Sequence, residues 1–155
     1  MTLRLRDEIK QTKPFRSVRE EAHLSLVRTA AVLSHGFAES LKAFGITGTQ
    51  YNVLRILRGA GRDGLCRNEV RDRLIAQVPD VTRLLDRMEE AGHVARERDA
   101  DDRRLVTTRI TRNGLDLLDA LEQPVSAMHQ RQLGHMTEDQ LRTMIHLLAV
   151  ARERS

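Results

Sequence analysis

Aromatic residues and cysteine are scarce in this sequence of 155 residues. Phe, Tyr and Trp together make up 3% of the side chains, too few for the stacking platform of single-strand nucleic-acid binders. The single cysteine, Cys66, excludes an internal disulfide framework and sites built from several cysteine ligands. No apolar run approaches the roughly 18 residues of a membrane span, and the N-terminus lacks the apolar stretch of a signal peptide. We therefore expect a soluble cytoplasmic protein with no membrane partner.

Basic residues and helix-forming patterns are what the sequence does contain. Lys and Arg number 26 against 22 Asp and Glu, and the formal net charge is +4. Only three of the basic residues are lysines, and the planar guanidinium of arginine suits phosphate and guanine recognition. The hydrophobic fraction of 40% is enough for one compact core. An acidic partner such as DNA is compatible with this balance.

Helix start signals recur along the chain. Ser17–Glu20, Thr47–Gln50 and Thr137–Gln140 each match the capping box, in which Ser or Thr is followed three residues later by Glu or Gln. Asn68 is the predicted cap of a short helix. Pro79 is predicted to lie in the first turn of the next helix, where its missing N–H costs little.

The hydrophobic period changes after Gly92. Val94–Arg98 and Leu105–Ile110 are short and rich in β-branched residues, which predicts two strands joined by a polar hairpin tip. Helical spacing resumes after Thr111. The sequence therefore predicts a mainly α fold with a small β-hairpin wing. This is the element order of a winged helix-turn-helix core flanked by N- and C-terminal dimerisation helices.

The same patterns divide the chain into segments. Residues 1–16 form a basic N-terminal arm, and residues 47–114 form the predicted winged helix-turn-helix domain. Residues 17–46 and 115–155 form a helical dimerisation region, because their apolar faces are too broad for one small chain to bury. We therefore expect a homodimer.

Residues 65–114 resemble the MarR family of bacterial transcription regulators. The resemblance rests on Asn68-Glu69-Val70, Val81 to Glu89, Gly92, Asp101 to Arg104, and Ile110 to Gly114, in this order and spacing. It implies an obligate homodimer that binds double-stranded DNA, with a recognition helix in the major groove and a wing in the minor groove. Most members repress transcription, and many release DNA when a small anionic or phenolic ligand binds. We therefore expect a ligand-responsive repressor on a pseudo-palindromic operator.

The helix predicted from Pro79 to Ala91 is the candidate recognition helix. Its apolar positions leave Thr82, Arg83 and Arg87 for solvent or DNA. An arginine can bridge guanine O6 and N7, and a threonine can contact phosphate or a thymine methyl group. With Pro79 and Asn68, these three residues are the predicted contacts on the major-groove side. The carboxylate of Asp80 either accepts from a cytosine amine or is angled away from the DNA.

The hairpin tip supplies the predicted minor-groove contacts. Arg103 and Arg104 can reach a narrow minor groove, where the negative potential is enhanced. Aspartates beside them, Asp102 among them, are expected to hold the arginines in a fixed pose. By the family resemblance, Asp86 on the recognition helix would pair with Arg104 and orient the wing.

Other functions have weaker support in the sequence. An effector site at the domain junction is implied by the resemblance, with Tyr51, Arg55 and His35 as candidate contacts. A redox switch at Cys66, a metal-responsive regulator and a scaffold that has lost DNA recognition remain alternatives. The histidine spacings do not form the i, i+4 pair typical of zinc sites. No catalytic set emerges, so we expect no enzyme, no cofactor and no metal.

Overall fold

A computed structural model describes residues 4–153 of the chain, so the first three residues of the predicted arm lie outside the described part. Within it, short 3₁₀ turns at Lys42–Phe44 and Gly61–Asp63 follow the second and third helices. The helices are α1 Leu5–Glu8, α2 Val18–Leu41, α3 Gly48–Ala60, α4 Arg67–Arg73, α5 Val81–Glu90, α6 Arg112–Leu133 and α7 Glu138–Arg152, and the strands are β1 Leu65–Cys66, β2 Val94–Arg98 and β3 Val106–Ile110. The predicted fold class is confirmed.

Two of the three predicted capping boxes form completely. At Thr47–Gln50 and at Thr137–Gln140, each threonine hydroxyl accepts the backbone N–H of the glutamine, and the glutamine Oε1 accepts the backbone N–H of the threonine. The predicted box at Ser17 is only half correct. The Ser17 hydroxyl accepts the Glu20 N–H, but the Glu20 carboxylate accepts from the backbone N–H of Arg16.

Two predicted helix starts are wrong by one or two residues. The α4 cap is Cys66, whose N–H donates to the Glu69 carboxylate at 2.8 Å, and Asn68 is the second residue of the helix. The α5 cap is Asp80, so Pro79 precedes the helix instead of forming its first turn. The reason is chemical, because an aspartate cap satisfies a free N–H at the helix start and proline only tolerates the lack of one.

The core lies between α3, the helix-turn-helix formed by α4 and α5, the sheet and α6. Leu54 and Leu57 of α3, Met88 of α5 and Leu121 of α6 are fully buried there. This apolar cluster fixes the wing and the recognition helix on one framework. No helix of residues 4–153 is both long and apolar enough to cross a membrane.

The wing belongs to a three-stranded antiparallel sheet in the order β1-β3-β2. The hairpin that the sequence predicts is present, and it pairs Val94 with Ile110 and Arg98 with Val106. The third strand, β1, was not predicted, since two residues are too few to show alternation. It requires Gly64, which has φ +65°, and a Cβ there would lie 2.6 Å from the carbonyl oxygen of Thr108.

The two outer helices leave apolar side chains without cover from their own chain. Helix α7 has no buried residue and packs only loosely against the rest of residues 4–153. Its Ile145 is 64% exposed, and Leu147 and Val150 are also exposed. On α2, Leu26 and Val27 are exposed in the same way. These are the helices that the sequence assigns to dimerisation.

Candidate nucleic-acid interface

Helix α5 presents one apolar and one polar face, as the sequence predicts. Val81, Leu85 and Met88 are buried against the core. Thr82 and Arg83, in the first turn, and Arg87, one turn later, are exposed on the opposite side. The N-terminal half of α5 therefore presents an exposed hydroxyl and an exposed guanidinium, both of which can bond to base edges or phosphates.

Asp80 is bound to its own helix. Its Oδ1 accepts the N–H of Arg83 at 2.9 Å. The negative charge at the α5 N-terminus is favourable because of the helix dipole. Of the two alternatives that the sequence left open, the structure therefore favours a capping carboxylate over one that contacts a base.

Aspartates organise the backbone of the wing tip. The Oδ1 atom of Asp99 accepts the N–H groups of Asp101 and Asp102 at 2.8 and 3.0 Å, and these bonds lower the pKa of its carboxyl. Asp102 in turn accepts the backbone N–H of Arg104 at 3.0 Å. Asp102 thus binds the Arg104 backbone and not its guanidinium. The side chains of Arg103 and Arg104 are exposed and form no ion pair within residues 4–153.

The predicted pair between Asp86 and Arg104 is wrong, since Asp86 pairs with Arg96. An Nη2 atom of Arg96 lies 2.5 Å from Asp86 Oδ1. Val94 and Arg96 are two residues apart on β2 and so share one face of the strand, the face that packs on α5. Arg104 lies in the tip, outside the paired strands.

Glu89 completes this junction, and sequence reasoning missed it. Its Oε2 accepts from Nε and Nη2 of Arg96 at 2.9 and 2.7 Å, and its Oε1 accepts the Arg96 backbone N–H at 3.1 Å. The Arg96 guanidinium holds the pKa of Glu89 below its usual value, and the two carboxylates raise the pKa of Arg96. We call Asp86, Glu89 and Arg96 the wing clamp. The shared strand face of Val94 and Arg96 was the signal that could have identified it.

A cavity of about 300 Å³ opens between α4, α5 and the wing. Arg67, Thr82, Arg96 and Arg104 contribute polar lining, and Cys66, half-buried, also borders it. Arg67, the first residue of α4, donates from Nη1 to Thr82 Oγ1 at 3.2 Å. Sequence reasoning missed Arg67, because it placed the start of this helix after Asn68.

The predicted effector contacts line neither the cavity under the wing nor a second cavity between α6 and α7. Tyr51 is half-buried and packs edge-on against Phe37, with ring centroids 5.4 Å apart. Arg55 and His35 are exposed on α3 and α2. Among residues 4–153, no group of three or more potential metal-ligating side chains is placed to hold an ion.

Comparison with known proteins identifies the family. The MarR family model matches residues 44–105, which include the helix-turn-helix and the first wing strand. The multiple antibiotic resistance protein MarR of Salmonella typhimurium is 30% identical over 109 residues, covering 70% of this chain and 74% of that protein.

Solved structures agree with this assignment. A MarR transcription factor from Planctomyces limnophilus is 39% identical, with a TM-score of 0.70 over 88% of this chain and 99% of that one. A mutant MarR of E. coli complexed with operator DNA shares the fold at 24% identity, with a TM-score of 0.78 over 96% and 99% of the two chains. Together with the geometry of α5 and the wing, these matches show that the chain belongs to the MarR family and is a DNA-binding transcription regulator.

Proposed function

We propose that the protein is a cytoplasmic homodimer that represses transcription from a pseudo-palindromic operator. One observation carries this proposal. The exposed Thr82 and Arg83 of α5 and the free Arg103 and Arg104 of the wing lie on two elements that the wing clamp joins. A recognition helix and a hairpin with two exposed arginines, fixed in this way, can contact adjacent major and minor grooves.

Two copies of this surface are needed for an operator with two half-sites. The exposed apolar side chains of α2 and α7 supply the contact, because isolated apolar helix faces are stabilised when a second copy covers them. In such a dimer the two α5 helices would enter half-sites about one helical turn apart.

A small-molecule effector is the proposed means of control. Tyr51 lies where α3 meets Phe37 of α2, so a ligand that contacts Tyr51 would touch both the outer helices and the DNA-binding part. Arg55, exposed one turn further along α3, and His35 of α2 are the other proposed contacts. One arrangement of the dimer can contact both half-sites and the other cannot. Such a ligand releases DNA only if its affinity for the second arrangement is higher than for the first.

Fluorescence anisotropy tests the proposed function. The purified protein is titrated onto duplex DNA from upstream of its own gene and onto a scrambled duplex of equal length, each at two salt concentrations. We expect tight binding that favours the native duplex and weakens steeply with salt. If the operator lies elsewhere in the genome, its sequence is identified by selection from a library of randomised duplexes. Failure to enrich any motif there would contradict the proposal.

Replacing Arg104 with alanine should weaken operator binding at least about tenfold without unfolding the protein. The guanidinium is exposed and its loss removes one cationic contact from each half-site, so the slope of log K against log salt should fall by roughly two for the dimer. Circular dichroism checks folding, and anisotropy measures affinity. Arg142→Ala, which removes an exposed ion-paired arginine on α7, is the matched control. Equal affinity of the Arg104 variant and the control would refute the wing assignment.

A further inference from the structure

Arg67 and Thr82 connect the two helices of the helix-turn-helix at the proposed DNA surface. Arg67 begins α4, Thr82 is the second residue of α5, and both side chains are exposed beside the cavity under the wing. The bond runs from Nη1 of Arg67 to Oγ1 of Thr82 at 3.2 Å. Its direction is fixed, because a guanidinium can only donate.

This direction limits what the Thr82 hydroxyl can do. A hydroxyl has one hydrogen to donate and two lone pairs that accept. Arg67 occupies one lone pair, and its positive charge disfavours a second donor at the same oxygen. Within residues 4–153 the Thr82 hydroxyl accepts from Arg67 and has no acceptor for its own hydrogen, so that hydrogen is available to an acceptor on DNA.

We propose that Arg67 is a positioning residue that fixes the Thr82 hydroxyl as a hydrogen-bond donor and thereby sets the base preference at the position Thr82 faces. The inference rests on the proposed operator binding. In the major groove, guanine, adenine and thymine each present an acceptor, whereas cytosine presents only its N4 amine donor. The base facing Thr82 is therefore any base except cytosine.

A competing role for Arg67 is a direct contact to a DNA phosphate. The two roles differ in their measurable consequences. A lost phosphate contact weakens binding to all sequences alike and lowers the salt slope by about one per half-site. A lost positioning contact changes discrimination between bases and leaves the salt slope near its wild-type value.

The test uses the full-length chain and operator duplexes that carry each of the four bases at every half-site position. Their sequence comes from selection with randomised duplexes. Wild-type protein should disfavour cytosine at one position by roughly fivefold to tenfold per half-site. Arg67→Met should abolish this discrimination. Arg73→Met, which removes an arginine elsewhere on α4, is the control and should retain it.

A double-mutant cycle tests whether Arg67 acts through Thr82. Thr82→Val removes the hydroxyl at nearly constant shape and should abolish the same discrimination, and the double variant should lose nothing more. Discrimination that survives in Arg67→Met would overturn this inference but not the proposed function. A uniform loss of affinity with a lowered salt slope would do the same. A wild-type chain that binds all duplexes equally would contradict the proposed function, and the inference with it.

Discussion

Replacing Ile145 with aspartate should convert the protein to a monomer and weaken operator binding at least about a hundredfold. Ile145 belongs to the apolar face of α7 and is 64% exposed within its own chain. A symmetric interface contains every substituted position twice, and each buried carboxylate without a partner costs several kcal/mol. A monomer contacts one half-site only and loses the gain from simultaneous binding.

Sedimentation equilibrium measures the oligomeric state of this variant, and anisotropy measures its affinity for the operator. Thr143→Asp is the matched control, because Thr143 is an exposed polar residue of the same helix. The control should remain dimeric and bind DNA normally. A dimeric Ile145→Asp variant would show that the α7 face does not mediate assembly. A monomeric variant with wild-type affinity would show that assembly is dispensable for operator binding.

Long periodic elements were predictable from the sequence because each one carries its own burial pattern. The apolar spacing of α5 appears in the structure with the expected face buried, and the two wing strands form where the sequence predicts them, although on β3 only Thr108 is buried. Element starts were less predictable. Asn68 and Pro79 are common near helix starts, but the side chains that satisfy the free N–H groups belong to Asp80 and to Glu69, which bonds to Cys66.

Pairings between elements depend on register, which local sequence does not contain. The family resemblance gave Asp86 a basic partner in the wing, and the structure supplies one from a different position. Arg96 rather than Arg104 reaches Asp86, because the pleat of β2 turns Arg96 toward α5. The bond from Arg67 to Thr82 spans 15 residues and has no periodic signature. Such contacts can be identified only from the three-dimensional structure.

Replacing Arg96 with methionine should weaken operator binding by about a hundredfold while the fold persists. Arg96 binds Asp86 and Glu89 at 2.5 and 2.7 Å, and its side chain is only 22% exposed. Methionine retains much of the side-chain volume but leaves two carboxylates unneutralised between α5 and the wing. It also frees the wing from α5. Asp86 and Glu89 are 46% and 39% exposed, so solvent screens part of this effect, and the expected hundredfold loss corresponds to about 2.7 kcal/mol of binding free energy.

The wing clamp should also make the free energy of unfolding depend on pH in the acidic range. Because the pKa of Glu89 is lowered in the folded protein, its ion pair contributes stability above the usual carboxyl pKa of 4.5. That contribution disappears as the pH falls through the lower folded value. Wild-type protein should therefore lose more stability between about pH 5 and pH 3 than Arg96→Met does. Urea unfolding at a series of pH values measures this difference.

Two further variants separate the clamp from a general loss of charge. Arg112→Met removes an arginine whose ion pair with Asp116 is exposed, and should change affinity and stability little. Arg96→Lys retains the charge but loses the planar fork that reaches two carboxylates, so its affinity should fall between wild type and Arg96→Met. If lysine restores full affinity, charge alone orients the wing. If Arg96→Met binds the operator with wild-type affinity, the wing clamp is not required for operator binding.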